Sequence, residues 1–147
     1  MKKYPLISIL LVVLFVPLWP QGSQSGADPA SYIGLTLTDL IGSHGAPRSV
    51  YPIRGIAEWQ DDVVFAYDDV DFYIYKDRIW QLGVKSAYMI QAGDSKSVVS
   101  LKFGEALSSG DNYAIFSLRG QNWPAALRCN FDAEGKVTEI FIFRSDM

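Results

Sequence analysis

One cysteine and one histidine stand in 147 residues. These two scarcities exclude more chemistry than any motif in the chain supplies. With Cys129 alone there is no intramolecular disulfide framework, and no Cys or His cluster has metal-ligand spacing. A nucleophile needs a base beside it. His44 stands next to Gly45 at a predicted helix end, where positive charge meets the helix dipole favourably, and Cys129 falls on the core parity of a distant strand. Both are read as structural, so no catalytic set, no metal and no cofactor are expected. Positive charge is also thin: Lys and Arg number 13 against 16 Asp and Glu, a net charge of −3, with no basic run. Nucleic acid is thereby excluded as a partner.

What is present begins with an export signature. Residues 1–19, MKKYPLISILLVVLFVPLW, place Lys2 and Lys3 before an apolar run that stops against Pro17 and Pro20. That run is shorter than the roughly 20 residues of a comfortable membrane span. Ser25, Gly26 and Ala27 supply small residues for a signal peptidase, which makes 1–27 a signal peptide and Asp28 the first mature residue. The alternative is an uncleaved anchor. No cysteine follows the apolar run for acylation, so the expected location is the periplasm or the exterior, with membrane contact only through a retained signal or a partner. Residues 20–31 are rich in Pro, Gly, Ser and Gln, which predicts a flexible tether at 28–31 before a single domain at 32–147.

Within that domain the stretch GLTLTDLIGSHGAP carries the clearest local instructions. Thr36 is placed to cap a helix, Asp39 three residues on completes a capping box, and Leu37, Leu40 and Ile41 give one apolar face. Gly45 and Pro47 stop it. Residues 48–57 read as a loop. Three strands follow. Trp59, Val63, Phe65 and Tyr67 share one parity of the first; Val70, Phe72 and Ile74 alternate with Asp71, Tyr73 and Tyr75 in the second; Lys76 and Asp77 turn the chain into the third, where Ile79, Leu82 and Val84 skip one position as a bulge would. A degraded copy of this plan fills the remainder. Asp94 is placed to cap a second helix with Val98 and Leu101 inward and Gly104 as its stop. Strands follow at 113–118, 126–131 and 137–143, and Val137, Ile140 and Ile142 repeat the skip. The expectation is an α+β fold: about six antiparallel strands from two tandem αβββ units, near 32–85 and 86–147, with short helices on one face.

Tyr73 and Tyr75 in the first unit, with Phe141 and Phe143 in the second, project opposite the core parity. If helices cover only one face, these four form an exposed aromatic binding patch; the competing reading has a loop or a curled sheet covering them. Asp61, Asp62, Asp68, Asp69 and Asp71 are dense enough to suggest a cation, yet lack the spacing of a dedicated calcium loop, and acids at strand ends are ordinary turn residues.

On Gly34, the helix from Leu37 to His44, Gly45, Pro47, Trp59, Tyr67 and the Ile79/Leu82 skip, the chain resembles the BamE (SmpA/OmlA) family of small envelope proteins. With Gly104 and the Val137/Ile140 skip, the doubled form is similar to the beta-lactamase-inhibitor-protein fold. The resemblance implies a non-enzymatic module of the cell envelope that binds a protein partner through a curved sheet. It departs from both families in cysteine: no acylated one, and no pair within a unit. A small-ligand carrier and an envelope hydrolase are the alternatives from other classes.

Overall fold

Thr36 sets the first helix. In a computed structural model, which describes residues 28–55 and 62–147, its hydroxyl accepts from the Asp39 N–H at 3.1 Å and the Asp39 carboxylate accepts from the Thr36 N–H at 3.0 Å. This reciprocal box satisfies donors that a helix start leaves orphaned. Helix α1 then runs Leu37–His44, and Gly45 ends it at φ +71°. Leu40 is fully buried, whereas Ile41 stays 39% exposed, since two turns bury only a narrow stripe.

The strands are β1 Ser49–Ile53, β2 Asp62–Ala66, β3 Val70–Tyr75, β4 Arg78–Val84, β5 Ser86–Ala87, β6 Ile90–Gln91, β7 Ser108–Ser109, β8 Tyr113–Leu118, β9 Ala125–Phe131 and β10 Val137–Arg144, with α2 at Lys96–Phe103. Eight of them form one antiparallel sheet in the order β1-β2-β3-β4-β10-β9-β8-β7, and β5 pairs with β6 as a separate ribbon. Read outward from the β4–β10 seam, the chain descends β4 to β1 on one side and β10 to β7 on the other.

The α+β class therefore stands, while the expected six strands become ten among the described residues. The four additions have two causes. β5, β6 and β7 have two residues each, too short to show a period. β1, inside the expected loop at 48–57, is exposed along its whole length and contains Pro52. Proline is tolerated there because an edge strand has a neighbour on one side only. Trp59 and Asp61 lie outside the described residues.

Both predicted bulges are present: pairing slips between Gln81 and Ile79 on β4, and between Val137 and Glu139 on β10. Each seats the approach to a helix. The Gly34 N–H donates to the Ile79 carbonyl at 2.8 Å and the Ile79 N–H to the Leu35 carbonyl at 2.9 Å, while in the second half the Gly93 N–H donates to the Val137 carbonyl and the Val137 N–H to the Asp94 carbonyl, both at 2.8 Å. The Lys76-Asp77 turn has φ of +46° and +63°, the left-handed pair of a tight hairpin.

Two further expectations are corrected. Ser95, not Asp94, is the N-cap of α2, and it makes no side-chain cap bond; the Asp94 carboxylate accepts from the Gln91 N–H instead. The inward residue of α2 is Val99, fully buried, while Val98 and Leu101 are 44% and 89% exposed. Moving the cap by one residue turns the apolar stripe to the next position. The second correction is the tether: Pro29–Tyr32 is a 3-10 turn with Ala30 buried in the core. Asp28 caps it, accepting from the Ala30 N–H at 3.0 Å, the Tyr88 hydroxyl at 2.6 Å and the Gln121 amide at 2.6 Å. Burial pushes the Asp28 carboxyl up, but those three donors together outweigh it and hold it below its ordinary value.

Both helices bury into one cluster with Phe72, Ile74, Ile79, Leu82, Phe116, Leu127, Cys129, Ile140 and Ile142, all from one face of the sheet. Burying each large side chain contributes about 1.5–3 kcal/mol, so this face holds the fold. His44 joins it through edge-on contacts with Tyr32, Phe72 and Tyr67 at ring distances of 5.1, 5.4 and 5.6 Å. Burial pushes the Cys129 thiol up to about 11, which leaves it protonated and inert.

Candidate binding face

Cross-strand register decides what lies on the other side of the sheet. Val64 pairs with Tyr51 and Tyr73, Asp71 with Ala66 and Gly83, Gly83 with Phe141, and Phe143 with Gln81 and Ala126. Paired residues share a face. All four sequence-predicted binding residues, Tyr73, Tyr75, Phe141 and Phe143, therefore stand on the helix-free face, and each is half-buried. Val64, Ala66 and Ala126 lie beneath them at 0%, 3% and 1% exposure. The face is thus a second packed layer carrying rings that are partly open, rather than a flat exposed sheet.

The four do not act as one group. Tyr73 and Phe141 meet edge to face, their ring centroids 6.3 Å apart. Gly83, on the strand between them, makes that contact possible: a Cβ there would lie 3.4 Å from Phe141 Cε1 and 3.6 Å from Tyr73 Cε2. Tyr75 and Phe143 stand two positions further along β3 and β10, and the Lys76 ammonium sits 5.1 Å from the Tyr75 ring centre. The bulge on β4 turns Trp80 onto this face as well, where its indole N–H donates to Asp62 Oδ1 at 2.9 Å, bridging across β3.

An open groove of about 470 Å³ runs past the ring pair. Tyr73, Gly83 and Phe141 line it, with Asp71 and Glu139 beside them and Asp68, Asp69, Arg48 and Lys85 around it. Desolvation, with Tyr51 and the Asp71, Glu139 and Asp62 carboxylates near, pushes the Tyr73 phenol up to about 12, so it stays a neutral hydroxyl. Lys85 pairs with Asp69 at 3.3 Å, both largely exposed, so the pair is worth little in stability. Glu139 accepts from the Asn130 amide at 2.7 Å. Of the acids considered for a cation, Asp62 is engaged by Trp80, Asp69 by Lys85, and Asp61 is outside the described residues. Among the described residues no three His, Cys, Asp or Glu side chains converge on one point.

Sequence reasoning did not single out Gly83 or Glu139. Gly83 carried a signal: a glycine inside a strand marks a close approach of neighbours. Glu139 carried none beyond its parity with Phe141 and Phe143.

The fold class defined so far is an antiparallel sheet with two short helices on one face. It is similar over 99% of this chain, at a TM-score of 0.57 and 13% identity, to the crystal structure of an extracellular protein containing a SCP domain from Bacillus anthracis str. Ames. The chain spans 50% of that protein's length, and at such identity the likeness speaks to fold alone. No protein-family model matches the sequence, and no curated protein does. Among the described residues no helix is long and apolar enough to cross a membrane.

Proposed function

We propose that this chain is an exported, non-enzymatic protein-binding module of the cell envelope, and that the helix-free face of its sheet is the surface that binds. The observation that carries the reading is the ring pair of Tyr73 and Phe141, closed over Gly83 beside an open groove. Half-buried aromatics flanking a cleft are the residues that anchor protein interfaces, because they desolvate a large area at little entropic cost. Tyr75 and Phe143 extend the face on the same strands. The lysine-flanked apolar head of the sequence and the small residues after it support export, with Asp28 as the first mature residue.

A tandem origin belongs to the same proposal. The mirrored strand order about the β4–β10 seam and the matching backbone bonds of Gly34 and Gly93 support two copies of one plan, akin to the BamE and beta-lactamase-inhibitor-protein arrangements, with four sheet strands after each helix instead of the three expected from sequence. The test of function is capture. Mature protein crosslinked in its native envelope should recover a partner, and Tyr73→Ala and Phe141→Ala should each weaken recovery by a factor corresponding to about 2 kcal/mol or more. Wild-type recovery in both variants, with melting curves close to wild type, would remove this face from the interaction. Melting losses of the size seen for core phenylalanines, about 3–5 kcal/mol, would make the rings structural.

A further inference from the structure

We propose that the groove receives a cationic side chain, an arginine or lysine of the partner, against the Tyr73 and Phe141 rings. The inference rests on the binding reading above and specifies what that face recognises.

Three observations converge on positive charge. The groove gathers four carboxylates, Asp68, Asp69, Asp71 and Glu139, against two bases, Arg48 and Lys85. Lys85 already has an acidic neighbour in Asp69. Glu139 is oriented by its bond from Asn130 to one carboxylate oxygen and lines the groove together with Phe141. The third observation is how this face treats its other aromatics. Lys76 sits 5.1 Å from the centre of the Tyr75 ring and the Arg128 guanidinium 5.0 Å from that of Tyr113. Among the described residues no cation of the chain itself lies over Tyr73 or Phe141. Tyr73 and Phe141, which line the acidic groove together with Tyr67, therefore carry no cation of the chain itself over their faces and stand beside its carboxylates. A ring face and a carboxylate both attract a cation, and guanidinium suits the combination because it stacks and donates in one plane. A purely apolar side chain would desolvate Asp71 and Glu139 without pairing them, and an acidic one would meet like charge.

The test uses the purified protein and a tetra-arginine peptide, with tetra-citrulline as the neutral control of the same shape. Backbone amide shifts at low salt should move saturably at Tyr73, Gly83 and Phe141 with the arginine peptide only. Added salt should weaken the binding. Asp71→Asn combined with Glu139→Gln, checked for wild-type melting, should lower affinity about tenfold. Equal binding of the citrulline peptide, shifts scattered over the acidic surface, or an unaffected double variant would each overturn the proposal. Crosslinked capture separates this from the broader reading. If partner recovery depends on Tyr73 and Phe141 but not on Asp71 and Glu139, the binding face stands and the cation does not. Dependence on neither pair removes both.

Discussion

Helices α1 and α2 have eight residues each, end on left-handed glycines and bury their fourth residue completely, yet they are held in place by different means. The first is closed by the Thr36–Asp39 box and seals its far end with His44 among Tyr32, Tyr67 and Phe72. The second has no side-chain cap. Its start is fixed by a backbone bond to the turn that precedes β10, the Lys96 N–H donating to the Gly135 carbonyl at 2.9 Å, and Phe103 closes its far end against Tyr88 and Phe116. Two-turn helices are too short to stand on their own hydrogen bonds. The comparison teaches that the buried residue and the bulge contact are what both need, while the cap is a refinement of one.

The largest expected effect tests the shared part. Leu40→Ala should cost about 2–5 kcal/mol and Val99→Ala somewhat less, since fewer atoms are removed, whereas Val98→Ala should leave chemical denaturation midpoints near wild type. A loss at Val98 matching that at Val99 would return α2 to the orientation first expected from sequence.

Glycine positions sharpen the difference next. Gly34 and Gly93 both precede a helix, at φ +86° and +91°. A Cβ at Gly93 meets open space, but one at Gly34 runs into the Trp123 indole, 2.8 Å from Cε2. That indole is itself held under Arg144, whose guanidinium lies 4.3 Å from the ring centre. Gly93→Ala should therefore cost only the left-handed strain of about 1–2 kcal/mol, and Gly34→Ala clearly more. Equal thermal melts for the two would show that Trp123 moves aside freely.

The smallest effect concerns the cap. Thr36→Ala should cost about 1 kcal/mol and Ser95→Ala close to nothing. Acid provides an independent handle. The hydrogen bonds from the Thr36 hydroxyl and N–H hold the Asp39 carboxyl below its ordinary 3.8, so its contribution is complete above that value and disappears as pH falls through the lowered one. The acid sensitivity of melting below pH about 4 should accordingly be reduced in Thr36→Ala and unchanged in Ser95→Ala.

How much of this could be read from residues follows from the range of the signals. Thr36, Asp39 and Gly45 act within one helix, and the bulges at Ile79 and Val137 shift an otherwise regular alternation, so all were legible. The core parity of β3 and β9 was legible for the same reason. The short strands were not, because two residues carry no period, and neither was β1, whose exposed SVYPI shows no buried alternation. The register of α2 was misread because Val98 and Val99 are adjacent and the helix starts one residue later than expected, with Ser95 as its N-cap. On the helix-free face, alternation placed Tyr73, Tyr75, Phe141 and Phe143 together, but the pairing across β4 that brings Tyr73 to Phe141 over Gly83, and leaves the other two aside, arises from long-range register.

The most direct test of the central claim is to fill the space under the ring pair without removing either ring. Gly83 has an ordinary strand conformation, and its missing Cβ would touch both rings at contact distance, so Gly83→Val offers a β-favouring residue that intrudes on the groove. Recovery of the crosslinked partner and the melting temperature would be measured on the same preparation. Loss of recovery with a melting temperature within a few degrees of wild type, a shift equivalent to about 1 kcal/mol or less, is the predicted result. Undiminished recovery at that same melting temperature would contradict the claim that this face binds.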